Sequence, residues 1–400
     1  MNLPKEVRQI IDILNENNYE AYVVGGSVRD SLMGKTPTDF DIATSATPKE
    51  IKAIFAKTVD TGTKFGTVTV LLNSKTYEVT TFRIDGPYKD HRKPTEVNFT
   101  GSLTEDLARR DFTINAIAYH KNHNYIDPFN GAADIKDKCI RGVGHPPTRF
   151  KEDALRMMRC IRFAVKLGFT IDHATYDALV ENAHLISKIS MERIRDELEK
   201  ILLGNYIQFS TIINECHILK YVDEGLYTHF QTHLNKTIPF LKNCEKDIIT
   251  KAAILFKNYE KPLKPLLQKL KYSNDQISKT ISLVDTLSPP INSPNKYEIK
   301  KLLLKLGNEN FRRWLHICEV FSMDTTHTHN LHKDIIKNNE PISLKDMKIT
   351  GDILAANNIV SPGKEMGDIL AFLHQAILKD PSLNETRALL KLAKNIRSSL

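Results

Sequence analysis

The chain has 400 residues, of which 41% are hydrophobic and 26% charged, with a formal net charge of +8. No run approaches the roughly 18 apolar residues of a membrane span, and the start MNLPKEVRQIIDIL lacks the charged-then-apolar order of a secretory leader. Five scattered cysteines (Cys139, Cys160, Cys216, Cys244 and Cys318), odd in number and without a CxxC pair, exclude a disulfide frame or cysteine zinc site and point to reduced thiols in the cytoplasm.

The predicted elements begin with a helix in which Val7, Ile10, Ile11 and Leu14 keep helical spacing. YEAYVV (19–24) predicts a strand ending at Gly25-Gly26, and DFDIA (39–43) a second. TVTVLL (67–72) and TYEVTTF (76–82), joined by a polar turn at Asn73–Lys75, predict a hairpin. RIDGPYKDHRKP (83–94) is expected to be an exposed, mobile loop. TEDLARRDFTINAIAYH (104–120) returns to helical spacing. Beyond about residue 146 strand signals nearly vanish. RFKEDALRMMRCIRFAVKL (149–167), HATYDALVENAHLI (173–186), SMERIRDELEKILL (190–203) and the amphipathic PLKPLLQKL, IKKLLLKL, GDILAANN and EMGDILAFLHQAIL predict helices. Proline-rich breaks near 288–294 and 361–363 suit hinges or caps, and no fixed-period repeat is present. The layout is α+β: a compact mixed head followed by a long all-helical remainder. Residues 1–150 carry 20 basic and 19 acidic side chains, so the remaining 36 basic and 29 acidic residues place most of the surplus in the helical part. That asymmetry suits a polyanionic partner.

GGSVRDSLMGKTPTDFDIAT (25–44) carries the first chemistry. In a strand, Asp39 and Asp41 share one face while Phe40 and Ile42 take the other. Two adjacent carboxylates repel unless a cation lies between them, and oxygen-only ligation favours Mg²⁺. Glu78, in the middle of TYEVTTF, is a candidate third carboxylate. Gly25-Gly26 would turn the chain sharply and open a helix at Ser27, which allows a ligand close to the backbone, and Arg29 adds positive charge for phosphate. Together these describe metal-dependent nucleotidyl or phosphoryl transfer. Taken singly, an Asp-x-Asp is commonly a surface strand, a glycine pair commonly a turn, and Glu78 a solvated strand residue; the conjunction carries the argument.

EDALRMMRCIR spaces Asp153, Arg156, Arg159 and Arg162 three residues apart along one drifting helical stripe. A salt-bridged helix face is the plain explanation. The sharper one is base recognition. A carboxylate accepts from the exocyclic amine of cytosine or adenine while a guanidinium donates to the neighbouring ring nitrogen. Uracil and guanine present the reverse order, and each mismatched buried group costs about 1–3 kcal/mol. Arg159 and Arg162 would reach phosphate or brace the pair. In RRDFTINAIAY, Arg110 is a phosphate candidate and Asp111 a ribose candidate, a surface ion pair being the plain alternative.

With those residues in view, the chain resembles the bacterial tRNA nucleotidyltransferases, the CCA-adding class shared with bacterial poly(A) polymerases. The matching segments are VVGGSVRDSLMGKTPTDFDIATSATP, YEVTTFRIDGPYKDHRKP, DLARRDFTINAIAY, IDPFNGAADIKDKCIR, FKEDALRMMRCIRFA and ISMERIRDELEKIL, in family order up to about residue 203. The resemblance implies a polymerase-β-like head with a small mixed or antiparallel sheet (1–145), then a helical neck for base recognition (146–205), body (206–325) and tRNA-binding tail (326–400). It implies Asp39 and Asp41 as Mg²⁺ ligands, with Glu78 less firmly matched. Gly26, Arg29, Arg110, Asp111, Asp153, Arg156, Arg159 and Arg162 become nucleotide-binding positions. The expected activity is addition of CCA to tRNA from CTP and ATP with release of pyrophosphate. Relatives that add only CC lack the loop that DGPYKDHRKP (85–94) matches, which favours full CCA addition. Poly(A) polymerase is the near alternative, argued against by the lack of a long basic C-terminal extension. A non-catalytic RNA-binding protein is the distant one, argued against by the clustered aspartates. The family often dimerises, but no stretch marks an interface. His327, His329 and His332 in THTHNLHKD are expected to form a loop or surface cluster, not a metal site.

Overall fold

The computed structural model describes residues 1–89, 93–204, 209–287 and 294–397. It divides into two compact units: residues 1–236 with 269–271, and residues 237–268 with 272–400.

The first unit is built on a seven-stranded mixed sheet. The helix Lys5–Glu16 buries Val7, Ile10, Ile11 and Leu14 on one face, each at most 2% exposed. Burial of such a side chain is worth about 1.5–3 kcal/mol, enough to fix that face inward. The strands β1 (Ala21–Val24), β2 (Asp41–Thr44), β3 (Thr58–Gly62), β4 (Thr67–Leu72) and β5 (Lys75–Thr81) are followed by the strands Ala118–His120 and Asn124–Ile126. From one edge the order is Asn124–Ile126, Ala118–His120, β1, β2, β5, β4, β3. Only β2 and β5 pair in parallel, with Ile42 opposite Val79; the other neighbours are antiparallel. The expected hairpin is β4–β5. Its two-residue turn, Asn73–Ser74, has φ of 50° and 62°, the left-handed pair that matches strand twist. Tyr22, Val24, Ala43, Phe82, Leu107, Ala116 and Ala118 form a core on one face of the sheet.

Several expectations change. The stretch 104–120 is not one helix: Leu103–Ala108 is helical, Thr113–Asn115 makes a single tight turn, and Ala118–His120 joins the sheet beside β1. A free strand edge offering backbone partners outweighs helical spacing in so short an apolar run. The segment 83–94 is not an open loop throughout. Arg83–Asp85 pairs with Val97–Phe99, and Tyr88–Lys89 with Lys93–Pro94; residues 90–92 of that expectation lie outside the described residues. The stretch 149–167 is two helices, Pro146–Glu152 and Leu155–Leu167, interrupted at Asp153 (φ −132°, ψ 103°). Further helices, including His173–Asn182 and Met191–Leu202, complete this unit.

The second unit is helical among its described residues. Its longest helix, Lys296–Val320, is capped by Asn295 and broken at Gly307, whose φ is 69°. Ile349, Leu354, Ile369, Leu373, Ile377 and Leu389 form a core between Gly351–Ala356, Lys364–Lys379 and Thr386–Arg397. The proline-rich break at 361–363 directly precedes Lys364–Lys379; most of the one near 288–294 lies outside the described residues. THTHNLHKD is helical (Thr326–Lys337) and not a loop. His329 Nε2 meets Glu319 Oε1 at 2.8 Å, and the His332 ring packs on Phe311 at 4.8 Å. No helix among the described residues is long and apolar enough to cross a membrane.

Candidate active site

In the first unit an open cleft of about 530 Å³ lies between the sheet and the helix Leu155–Leu167. Its wall carries seven arginines (Arg29, Arg83, Arg109, Arg110, Arg156, Arg159 and Arg193) against four aspartates (Asp41, Asp85, Asp111 and Asp153), so it favours a polyanion.

β1 delivers the chain to the cleft at Gly25, whose φ of 76° and ψ of −131° suit glycine alone. A Cβ at Gly25 would lie 3.0 Å from Arg110 Nη1 and 3.8 Å from Asp41 Oδ2. Gly26, the position singled out from sequence, is ordinary helix, where a Cβ would meet only Arg29 Nη2 at 3.6 Å. The glycine that conformation demands is therefore Gly25. Arg29 is buried and held from both sides: Nη1 donates to Asn115 Oδ1 at 2.7 Å, Nη2 to Asp30 Oδ1 at 2.7 Å.

Asp41 opens β2 and lines the cleft. The strand starts there and not at Asp39, because Val24 opposite Asp41 is the last pairing before β1 turns away at Gly25. Asp39 is exposed and outside the cleft wall, so strand alternation does not fix it beside Asp41. The two nonetheless feel each other. Although Asp41 is open to water as a residue, crowding of its carboxyl by protein pushes its pKa up; Arg110 pulls it down, and Asp39 and Glu78 push it up again. Glu78 is exposed on β5, next to β2, and does not line the cleft. Among the described residues no three His, Cys, Asp or Glu side chains converge closely enough to hold an ion, so Glu78 is not brought in as a third ligand. Two oxygen-bearing carboxylates in mutual repulsion remain, a donor set that fits a hard divalent cation.

Arg110 reaches Asp106 Oδ2 at 3.4 Å and the Asn115 carbonyl at 3.3 Å, and its buried Nε has no hydrogen-bond partner. Burial lowers its pKa; Asp106 works against this and Arg109 with it. A half-buried guanidinium with a buried donor to spare suits an incoming anion. Asp111 would be raised by burial, but Arg159, which reaches Oδ2 with Nε at 2.8 Å and Nη2 at 2.6 Å, and Asn115, donating to Oδ1 at 3.2 Å, hold it below the usual carboxylate range. The same pairing raises Arg159.

At the break, Asp153 and Arg156 each take separate partners within the protein. Asp153 receives Arg193 Nη2 on Oδ2 at 2.8 Å, Arg193 Nη1 on Oδ1 at 3.2 Å and the Leu155 amide at 3.1 Å. Arg156 donates to Glu152, to the Arg109 carbonyl at 3.0 Å and to the Tyr88 hydroxyl at 3.3 Å. Tyr88 in turn donates to Asp85 Oδ2 at 2.6 Å, and burial pushes its phenol well up. Both Asp153 and Arg156 line the cleft, but no bond between them is formed. Arg162 is not brought there: its Nε lies 2.5 Å from Glu197 Oε2 on Met191–Leu202. Arg193, Tyr88, Asp85, Asn115 and Phe163 were missed from sequence. Each sits inside a segment that carries the resemblance, but spacing alone does not name a partner in another segment.

The chain is similar to known proteins over its full length. Residues 21–141 match the family described as the Poly A polymerase head domain, and residues 242–393 the tRNA nucleotidyltransferase domain 2 family. The chain is 36% identical over 410 residues to the CCA-adding enzyme of Pediococcus pentosaceus, covering 98% of each. It is 39% identical over 405 residues to that of Ligilactobacillus salivarius, covering 99% of this chain and 98% of the relative. The fold superposes on the Bacillus stearothermophilus CCA-adding enzyme in complex with CTP with a TM-score of 0.83 at 30% identity, covering 100% and 99% of the two chains. The Thermotoga maritima CCA-adding enzyme complexed with tRNA shares the fold, with a TM-score of 0.62 at 20% identity. With a polymerase-β-like head, helices beyond it and full-length similarity of this degree, the chain belongs to the CCA-adding enzyme family of nucleotidyltransferases.

Proposed function

We propose that this protein adds CCA to the 3′ end of tRNA, using CTP twice and then ATP and releasing pyrophosphate. The observation that carries the reading is one cleft in which Asp41, the half-buried Arg110, the Asp111–Arg159 pair, Asp153 and Arg156 stand together. Asp39 and Asp41 would hold Mg²⁺. When bound, the cation supplies charge neutralisation at the triphosphate and lowers the pKa of the attacking hydroxyl. Arg110, with Nε free, binds phosphate; Asp111, kept ionised by Arg159, accepts from ribose. Asp153 and Arg156 face the base edge, the carboxylate accepting from an exocyclic amine and the guanidinium donating to a ring nitrogen. Gly26 and Arg29 border the nucleotide. Residues 1–145 act as catalytic head, 146–205 as base-reading neck, and the helical body and tail, 206–325 and 326–400, take tRNA in a cytoplasmic protein. Similarity to CCA-adding enzymes over the full length favours this reading over poly(A) polymerase.

The test is to incubate the protein and Mg²⁺ with tRNA lacking CCA, supplying each labelled nucleotide separately and then CTP with ATP. Two C additions with CTP and a stop after the following A are expected. A long A ladder would establish the polymerase instead. Exchanging both Asp39 and Asp41 for Ala should leave tRNA binding in place and reduce incorporation by about a thousandfold or more; substantial residual activity would refute the metal assignment.

A further inference from the structure

Phe163 is not among the residues that the chemistry of the reaction calls for. It follows Arg159 by one turn on Leu155–Leu167, is 6% exposed, and packs edge-on against Phe112 with centroids 5.8 Å apart. By spacing it is a core residue, a place where leucine would serve equally. Its surroundings are not those of a core residue. Three guanidinium carbons lie over its ring: Arg162 at 4.1 Å, Arg29 at 5.3 Å and Arg159 at 5.5 Å from the centroid. They arrive from two separate segments. Each has its own polar partner elsewhere, Glu197 for Arg162, Asp30 and Asn115 for Arg29, and Asp111 for Arg159.

Those partners differ from one arginine to the next. The ring is the feature all three share. Cations gathered this closely repel, and the burial of Arg29 and Arg162 removes water that would screen them. An aromatic face offers negative density without introducing a carboxylate that would oppose phosphate. A leucine would occupy similar space and offer no such density.

We infer that Phe163 is a positioning residue for nucleotide binding: the face of its ring gathers Arg29, Arg159 and Arg162, and so aims Arg29 and Arg159 into the cleft. Arg162, excluded from the cleft, is then explained as the near cation of the group, anchored by Glu197 and stacked on the ring. The inference rests on the reading of Arg29 and Arg159 as nucleotide-contacting residues.

The test replaces Phe163 by Leu and, in parallel, by mono-, di- and trifluorophenylalanine, which keep ring shape while progressively draining π density. With tRNA saturating, the KM for CTP should climb stepwise along the fluorinated series, reaching about tenfold at the trifluoro ring and in Phe163→Leu, while kcat moves much less. Melting temperatures should stay level across the fluorinated set. A flat KM across that set overturns the inference whatever the leucine variant does, because the ring would then only fill space. An Arg159→Ala arm separates the two levels of the argument. If it raises KM while the fluorinated series is flat, this inference alone falls. If it leaves KM unchanged, the reading of the site falls and the inference with it.

Discussion

Asp41 shows how a single carboxyl can oppose stability and serve the site. Burial, Asp39 and Glu78 raise its pKa against the pull of Arg110, so folding favours the protonated form of Asp41 more than the unfolded chain does. Its stabilising contribution is therefore fully present below the pH at which an unfolded aspartate titrates, and is lost as pH rises through the higher folded value. At neutral pH the bare charge is a burden on the fold. Asp41→Asn should raise the melting temperature of the metal-free protein by roughly 1–2 °C at pH 7 and by less near pH 4, while stopping nucleotide incorporation. Scanning fluorimetry at the two pH values checks this; a lower melting temperature at pH 7 would mean that Arg110 more than compensates the charge. Gly25 makes the same point without charge, its conformation having been chosen for the close pass of Arg110 and not for helix formation at Gly26.

Among the elements, the interruption between Pro146–Glu152 and Leu155–Leu167 matters most. It frees the Asp153 side chain from a continuous helix face and hands it to Arg193 on Met191–Leu202. Arg193→Ala should leave the Asp153 side chain without its two guanidinium contacts, lowering kcat/KM for CTP by about tenfold and narrowing its advantage over UTP. Steady-state rates with the two nucleotides measure this, and an unchanged ratio would show that Arg193 does not govern base choice. The sequence makes the local part of this architecture legible. Helical spacing marks Val7, Ile10, Ile11 and Leu14, alternation and a polar turn mark the β4–β5 hairpin, and residue types in motif order mark Asp41, Arg110, Asp111, Asp153 and Arg156. What escapes is set by neighbours distant in the chain. Ala118–His120 becomes strand because β1 offers an edge, Tyr88 leaves solvent for Asp85 and Arg156, and Arg162 turns to Glu197 instead of the cleft. Periodicity within one segment carries no information about any of these partners.

For the molecule as a whole, charge is unevenly distributed along the chain. Residues 1–150 are nearly neutral in sum, and the basic surplus lies beyond them. Raising salt from about 50 to 200 mM should weaken tRNA affinity by roughly a hundredfold or more, through counterion release at the phosphates. The KM for CTP, set inside the cleft, should change by only about twofold over that range. Filter binding and single-nucleotide kinetics separate the two, and parallel losses would place the polymer contacts inside the cleft as well. Within the first unit, a small stitch has a larger consequence. Cys139–Ile140 runs parallel to Thr170–Ile171; the Thr170 amide donates to the Lys138 carbonyl at 2.9 Å and the Asp172 amide to the Ile140 carbonyl at 3.0 Å. Three residues further on, the Val143 amide donates to the Asp111 carbonyl at 3.2 Å, tying the same strip to the cleft wall. The Asp111 wall of the cleft is thereby coupled through residues 138–143 to the turn at Thr170–Asp172, like two rails held by one tie, and neither can move without breaking or carrying these bonds.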